Sequence, residues 1–216
     1  MKVRAVLFDC DGVLVDSESQ GFALMQEELA AYGLPLSLEA LETSFVGGTI
    51  EDVATRARDR GARLPEDWVE QFYAKLYQRL GEGTDLIPGI ADLLDRLDAA
   101  GIVYGVGSNG RTAKMEVTLG QHPDIRARFE GRMFSGQELG CPKPDPGLYL
   151  HVARALKTDP AQCVVIEDSP TGARGAQAAG IRCLGYAPHG THAALEAAGA
   201  TLFTDMAQVP GLIGLD

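Results

Sequence analysis

Val3-Arg4-Ala5-Val6-Leu7-Phe8-Asp9-Cys10-Asp11-Gly12-Val13-Leu14-Val15-Asp16-Ser17-Glu18 is the stretch that decides the architecture. A short apolar run that stops at acidic residues is the pattern of a strand buried on both faces of a parallel sheet. Ligands of such sheets sit beyond the carboxyl ends of the strands, so Asp9 and Asp11 stand where chemistry is expected. The same two aspartates interrupt any apolar region long enough for a secretory signal.

From Ser17 to about Gly81 the pattern turns helical. Ser17-x-x-Gln20 has the form of a capping box, with Phe22, Met25 and Leu29 at helical spacing and Gly33 as the stop. Further helices are predicted to start at Ser37, Thr49 and Pro65, the last running through Trp68, Phe72, Leu76 and Leu80. After Pro88-Gly89 helices and strands alternate, with strands at Ile102–Val106, Met133-Phe134, Cys163–Ile166, Ile181–Tyr186 and Thr201–Phe203. Alternation of this kind implies right-handed crossovers and a parallel sheet covered on both faces. The expected fold class is therefore α/β: a Rossmann-like parallel-sheet core (residues 1–15 and 87–216) with an all-helical insert (16–86) after its first strand.

The chain has 216 residues, 45% of them hydrophobic, and 19 basic against 30 acidic side chains for a net charge of −11. That is a globular composition able to bury a core, and its scattered basic residues argue against a nucleic-acid partner. No apolar stretch is long enough to span a membrane. Cys10, Cys141, Cys163 and Cys183 form no C-x-x-C pair and read as reduced thiols, and a cytoplasmic location is expected.

Three more clusters follow apolar runs. Gly105-Val106-Gly107-Ser108-Asn109-Gly110 literally matches a dinucleotide fingerprint, with Glu130 twenty residues on, but that reading leaves Asp9 and Asp11 unexplained. The better account is a phosphoryl site: a hydroxyl from Ser108 and backbone N–H donors from Asn109 and Gly110. Pro142-Lys143-Pro144-Asp145-Pro146 restricts the backbone around a lysine whose compact charge suits a phosphoryl oxygen and would hold Asp9 ionised. Glu167-Asp168-Ser169 puts adjacent acids at a buried strand end, where a cation or donors must compensate them; Asp168 or Ser169 could cap the following helix, but a cap would not need both acids, so Asp168 is assigned to the metal and Glu167 to a water on it. In the first cluster Asp9 reads as a nucleophile toward phosphorus and Asp11 as the proton carrier, with Mg²⁺ between them and the substrate. An EF-hand is excluded, because Gly12 falls at loop position four and the twelfth residue is Gln20.

In this order, Asp-x-Asp-Gly-Val-Leu-x-Asp-Ser-Glu, Ser-Asn, Lys-Pro-x-Pro and Glu-Asp-Ser-x-x-Gly resemble the haloacid dehalogenase-like hydrolases along essentially the whole chain. The resemblance implies that the helical insert is a cap domain. It also implies that Asp9 becomes an aspartyl-phosphate and Asp11 is the general acid/base, with Ser108 and Lys143 binding phosphate. Mg²⁺ would sit on the Asp9 carboxylate, the Asp11 backbone carbonyl and the Asp168 carboxylate. Ser108-Asn109-Gly110 with Lys114-Met115, and Phe134-Ser135-Gly136, are similar to the β-phosphoglucomutase and sugar-phosphate phosphatase branch, including phosphatases of 6-phosphogluconate. Gly21 and Ile50 stand where the mutases carry a cap histidine and a phosphate-binding arginine.

The expected activity is a Mg²⁺-dependent phosphatase for small phosphorylated metabolites. A phosphomutase is the alternative within the family, and a metal-independent dehalogenase or a dinucleotide-binding oxidoreductase the alternatives outside that chemistry. Gly47-Gly48-Thr49 is the candidate specificity loop, with Gly48 and Thr49 as substrate contacts. The chain is expected to be a monomer or a weak homo-oligomer.

Overall fold

The computed structural model describes residues 2–45 and 49–215. Six strands, β1 (Ala5–Phe8), β2 (Val103–Ser108), β3 (Met133–Ser135), β4 (Cys163–Glu167), β5 (Arg182–Tyr186) and β6 (Thr201–Phe203), form one parallel sheet in the order β3-β2-β1-β4-β5-β6. The helices are α1 (Glu18–Ala31), α2 (Leu38–Phe45), α3 (Ile50–Asp59), α4 (Trp68–Gly81), α5 (Ile90–Ala99), α6 (Thr112–Leu119), α7 (Pro123–Arg128), α8 (Gly136–Leu139), α9 (Gly147–Ala155), α10 (Pro170–Ala178), α11 (Ala193–Ala197) and α12 (Val209–Leu212). The strand order reverses beside β1, so the crevice beyond its carboxyl end is where a ligand fits.

β1 is central because both faces of its apolar run are covered. Val6 and Phe8 pack with Leu93, Leu94 and Leu97 of α5 and Met115 and Leu119 of α6, whereas Ala5 and Leu7 pack with Leu148, Tyr149 and Val152 of α9 and Ala173 and Ala176 of α10. Period-two alternation thus buries every β1 side chain. The register aligns the ends: Phe8 lies opposite Val106 of β2 and Ile166 of β4, so Asp9, Ser108 and Glu167 emerge at one edge of the sheet.

Gly105 and Gly107 owe their place to packing. A β-carbon on Gly105 would stand 3.2 Å from Val152, and one on Gly107 3.2 Å from Val152 and 3.3 Å from Leu148. The dinucleotide-like glycines let α9 approach the sheet, which accounts for the literal motif match. β2 runs on past Val106 to Ser108, because Gly107 and Ser108 pair with Phe134 and Ser135 of β3.

Helices α1 to α4 bury a third core of their own around Leu29, Leu41, Trp68, Phe72 and Leu80. The chain enters them at Asp16 and leaves at Asp85 through paired backbone: Asp16 N–H donates to the Asp85 carbonyl (2.9 Å) and Ile87 N–H to the Leu14 carbonyl (3.0 Å). Thr49 starts α3 with a full capping box on Asp52, as its position predicts. The box expected at Ser17 is not formed. Its hydroxyl donates instead to the Asp11 carboxylate. The short helices α7, α8 and α12 were not expected; four to six residues are too few to show a helical period.

Candidate active site

The turn after β1 is tight, with Gly12 N–H donating to the Val15 carbonyl (2.8 Å) and Leu14 N–H to that of Cys10 (2.9 Å). Gly12 sits at φ +74°, and a β-carbon there would lie 1.9 Å from Asp168 Oδ2. Only glycine permits both the left-handed turn and the approach of β4's following loop. That approach brings one carboxylate oxygen each of Asp9, Glu167 and Asp168 within 4.8 Å of one another. Burial pushes Asp168 well above the usual carboxylate range and Asp9 up to about 7. Lys143 does favour an ionised Asp9, as expected, but burial outweighs it. Three clustered carboxylates, two of them buried, offer hard oxygen donors that fit a divalent cation such as Mg²⁺, whose charge would offset the cost of burying them.

Lys143 is buried, and its ammonium donates to Asp9 Oδ1 and to Glu167 Oε1, the latter at 2.6 Å. Its main chain is held by Asn109: Lys143 N–H donates to Asn109 Oδ1 (2.7 Å), and Asn109 Nδ2 donates to the Lys143 carbonyl (3.1 Å). The Asn109 side chain thus locks the lysine's backbone, a role that the reading of it as a phosphate contact did not include.

Glu167 has partners beyond those expected of it. Its Oε1 accepts from Lys143 and from the Tyr149 hydroxyl (2.7 Å), and its Oε2 accepts from the N–H groups of Asp168 (3.1 Å) and Ser169 (3.0 Å) and the Ser169 hydroxyl (2.9 Å). With both oxygens engaged it backs Lys143, while one of them also lies within 4.8 Å of oxygens of Asp9 and Asp168, the neighbourhood in which a metal-bound water was expected. These donors outweigh burial and hold its carboxyl below the ordinary range. Ser169, not Asp168, caps α10. Tyr149, whose ring lies 4.9 Å from the Lys143 ammonium, was missed, because a tyrosine in an apolar helical pattern reads as core.

Asp11 faces the same cavity. Its Oδ1 accepts from the Ser17 hydroxyl and pairs with Lys114 at 2.7 Å. Burial raises its carboxyl, but Lys114 and Ser17 overcome this and leave it below the ordinary range. Ser108 is buried at the end of β2, and its hydroxyl accepts from Gly110 N–H (2.9 Å). Glu18, also unforeseen, lines the cavity; burial and the charge of Asp11 push it up to about 7.

The cavity is walled from above by the helical part. Phe22, Met25, Ile50, Val53, Phe72 and Leu76 line it, along with Gly21, Thr49 and Tyr73. Thr49 is thus placed at the cavity, but its hydroxyl accepts from Asp52 N–H (3.2 Å) in the α3 cap. Gly48 and its neighbour Gly47 lie outside the described residues. Arg111, just before α6, joins floor to roof: its guanidinium reaches Glu51 of α3 (2.9 Å) and Glu70 of α4 (3.0 Å) and stacks 4.0 Å from the Tyr73 ring centre.

Comparison with known proteins agrees with this geometry. Residues 3–180 match the model of a haloacid dehalogenase-like hydrolase family. The chain is 30% identical to the 6-phosphogluconate phosphatase of Escherichia coli K12 over 216 residues, covering 98% of this chain and 95% of that one. Among solved structures it resembles a hydrolase of the same family from Deinococcus radiodurans with bound phosphate and sodium (32% identity, TM-score 0.77, 99% and 97% of the two chains). It also resembles CbbY from Rhodobacter sphaeroides in complex with phosphate (29% identity, TM-score 0.79, 99% of each chain).

Proposed function

Since the chain belongs to the haloacid dehalogenase-like hydrolases and is an enzyme of phosphoric monoesters, we propose that it hydrolyses small sugar or sugar-acid phosphates, 6-phosphogluconate among them, through an aspartyl-phosphate. The observation that carries this reading is the convergence of Asp9, Asp11, Ser108, Lys143 and Asp168 on one cavity. In the first step an Asp9 oxygen attacks phosphorus, the ester P–O bond breaks, and Asp11, which enters the step protonated although Lys114 and Ser17 favour its carboxylate, gives that proton to the departing oxygen. In the second, Asp11 takes a proton from water, whose oxygen attacks the phosphoryl group and frees Asp9 and inorganic phosphate. Ser108 and Lys143 hold the phosphoryl oxygens in both steps, and Asn109 and Glu167 fix Lys143 from behind.

Mg²⁺ would be held by the Asp9 and Asp168 carboxylates and the Asp11 backbone carbonyl, and would supply positive charge against the phosphoryl group and the surrounding acids. Helices α1 to α4, residues 16–86, form the cap that covers the leaving group and excludes water. A cap wall of Gly21 and Ile50 has neither the histidine nor the arginine of the mutases, which supports hydrolysis over mutase action. The test is a phosphate-release screen over phosphorylated metabolites with Mg²⁺, including β-glucose 1-phosphate. Phosphate release is expected; glucose 6-phosphate appearing faster than phosphate would make the enzyme a mutase.

A further inference from the structure

The proposed chemistry leaves a largely covered cation in the cavity wall without a task. Lys114, on the first turn of α6, lines the cavity with its side chain only 16% exposed. Its ammonium meets Asp11 at Oδ1, 2.7 Å away, and the Ser17 hydroxyl donates to that same oxygen. The second oxygen, Oδ2, lies on the other side, toward Gly110: a β-carbon built on Gly110 would stand 3.5 Å from Asp11 Oδ2 and 3.2 Å from Ser108 Oγ. Asp11 is therefore anchored through one oxygen and presents the other beside the hydroxyl proposed to hold the phosphoryl group.

We infer that Lys114 is a positioning residue that pins Asp11 Oδ1, so that Oδ2 is the oxygen exchanging protons with the leaving group. A carboxylate turns easily about its last torsion, which is roughly two-fold, so an aspartate without an anchor would offer either oxygen at a range of angles. Two donors from separate elements, α6 and the residue before α1, remove that freedom. Ser17 cannot do this alone, because a hydroxyl can rotate to other acceptors whereas the paired ammonium holds its place by charge as well. Lys114 acts through Asp11 and does not itself transfer a proton.

The inference rests on the phosphatase reading, and the experiment separates the two. Wild type, Lys114→Met and Lys114→Arg are compared by kcat/KM, which reports phosphoryl transfer to Asp9, on 4-nitrophenyl phosphate and on a hexose 6-phosphate. The nitrophenolate leaves with little protonation, whereas the sugar alkoxide depends on it. Lys114→Met is expected to lose about tenfold more on the hexose phosphate than on the nitrophenyl ester, a fraction of what a positioned general acid supplies. Lys114→Arg should recover part of that difference. Equal losses on both esters would overturn the inference, showing a structural lysine or a contact to the phosphoryl group. Should Lys114→Met fail to fold by thermal melt, the ratio measured on Lys114→Gln decides in the same way. Wild type inactive on both esters would sink the phosphatase reading and the inference together; an active wild type with an unmoved ratio sinks the inference alone.

Discussion

The floor and the roof of the cavity are built on opposite plans. On the floor nearly every side chain is a polar group held by another: Asn109 holds the Lys143 backbone, Glu167 holds its ammonium, and Tyr149 holds Glu167. In the roof the wall is mostly apolar: Thr49 and Tyr73 are spent on a helix cap and on a bond from Gln137 (3.1 Å), and the acid Glu18, at the start of α1, stands where roof meets floor. The two meet through Arg111, whose partners are substantially exposed. On the proposed reading such a floor would preorganise charge for a reaction common to many esters, while a roof of aliphatic and aromatic side chains would shape and dry the space for a leaving group. The contrast would then divide chemistry and selectivity between different physical forces.

If the contrast holds, floor substitutions should act on chemistry and roof substitutions on binding. The largest effect is expected from Asp9→Asn, which removes the proposed nucleophile: turnover should fall by roughly 10⁴-fold or more, with no phosphate adduct in the protein's mass spectrum. Removing divalent metal with excess chelator should take activity on an aryl phosphate to background and Mg²⁺ should restore it; Ca²⁺, with its looser shell, should restore little. Asp11→Asn comes next, with losses of roughly 10²- to 10⁴-fold on alkyl phosphates. On a nitrophenyl ester its first step should survive better than its second, so a phosphate adduct on Asp9, removable by hydroxylamine, should build up. Equal losses with both leaving groups and no adduct would take Asp11 out of its proton-carrying role. Arg111→Ala should have the smallest effect: a rise in KM of roughly two- to fivefold, the scale of an exposed cation–π contact, with kcat nearly unchanged. A collapse of kcat in that variant would erase the division between floor and roof.

The floor was readable in the sequence for the reason that it is rigid. Strand β1 is a continuous apolar run, and Asp9, Ser108 and Glu167 follow such runs, so strand ends located the site before any distance was known. The helices α1 to α4 were visible from their periodicity and stops. What stayed hidden were partners far apart in the chain. Lys114 and Asp11 are joined only by the packing of α6 beside β1, and Tyr149 meets Glu167 only because α9 lies on the same sheet. Ser17 misled for a physical reason: a serine at a helix start is worth a cap in isolation, but here a buried carboxylate competes for its hydroxyl and wins. The donors to Glu167 were hidden likewise, since an acid beside an acid suggests a cation and says nothing of a tyrosine eighteen residues away.

Gly172, inside α10, touches no substrate in any reading of this site. Yet a β-carbon there would fall 1.6 Å from Glu167 Oε1, the oxygen that holds Lys143 in aim. Unlike a surface side chain, that carboxylate has nowhere to retreat, because backbone and hydroxyl donors fasten its other oxygen. In a saturation-mutagenesis map of the protein, this residue without a functional group would tolerate as little as Asp9, the proposed nucleophile. Intolerance in such a map measures how tightly space is used, and a survey that equated it with chemistry would enrol a glycine among the reactants.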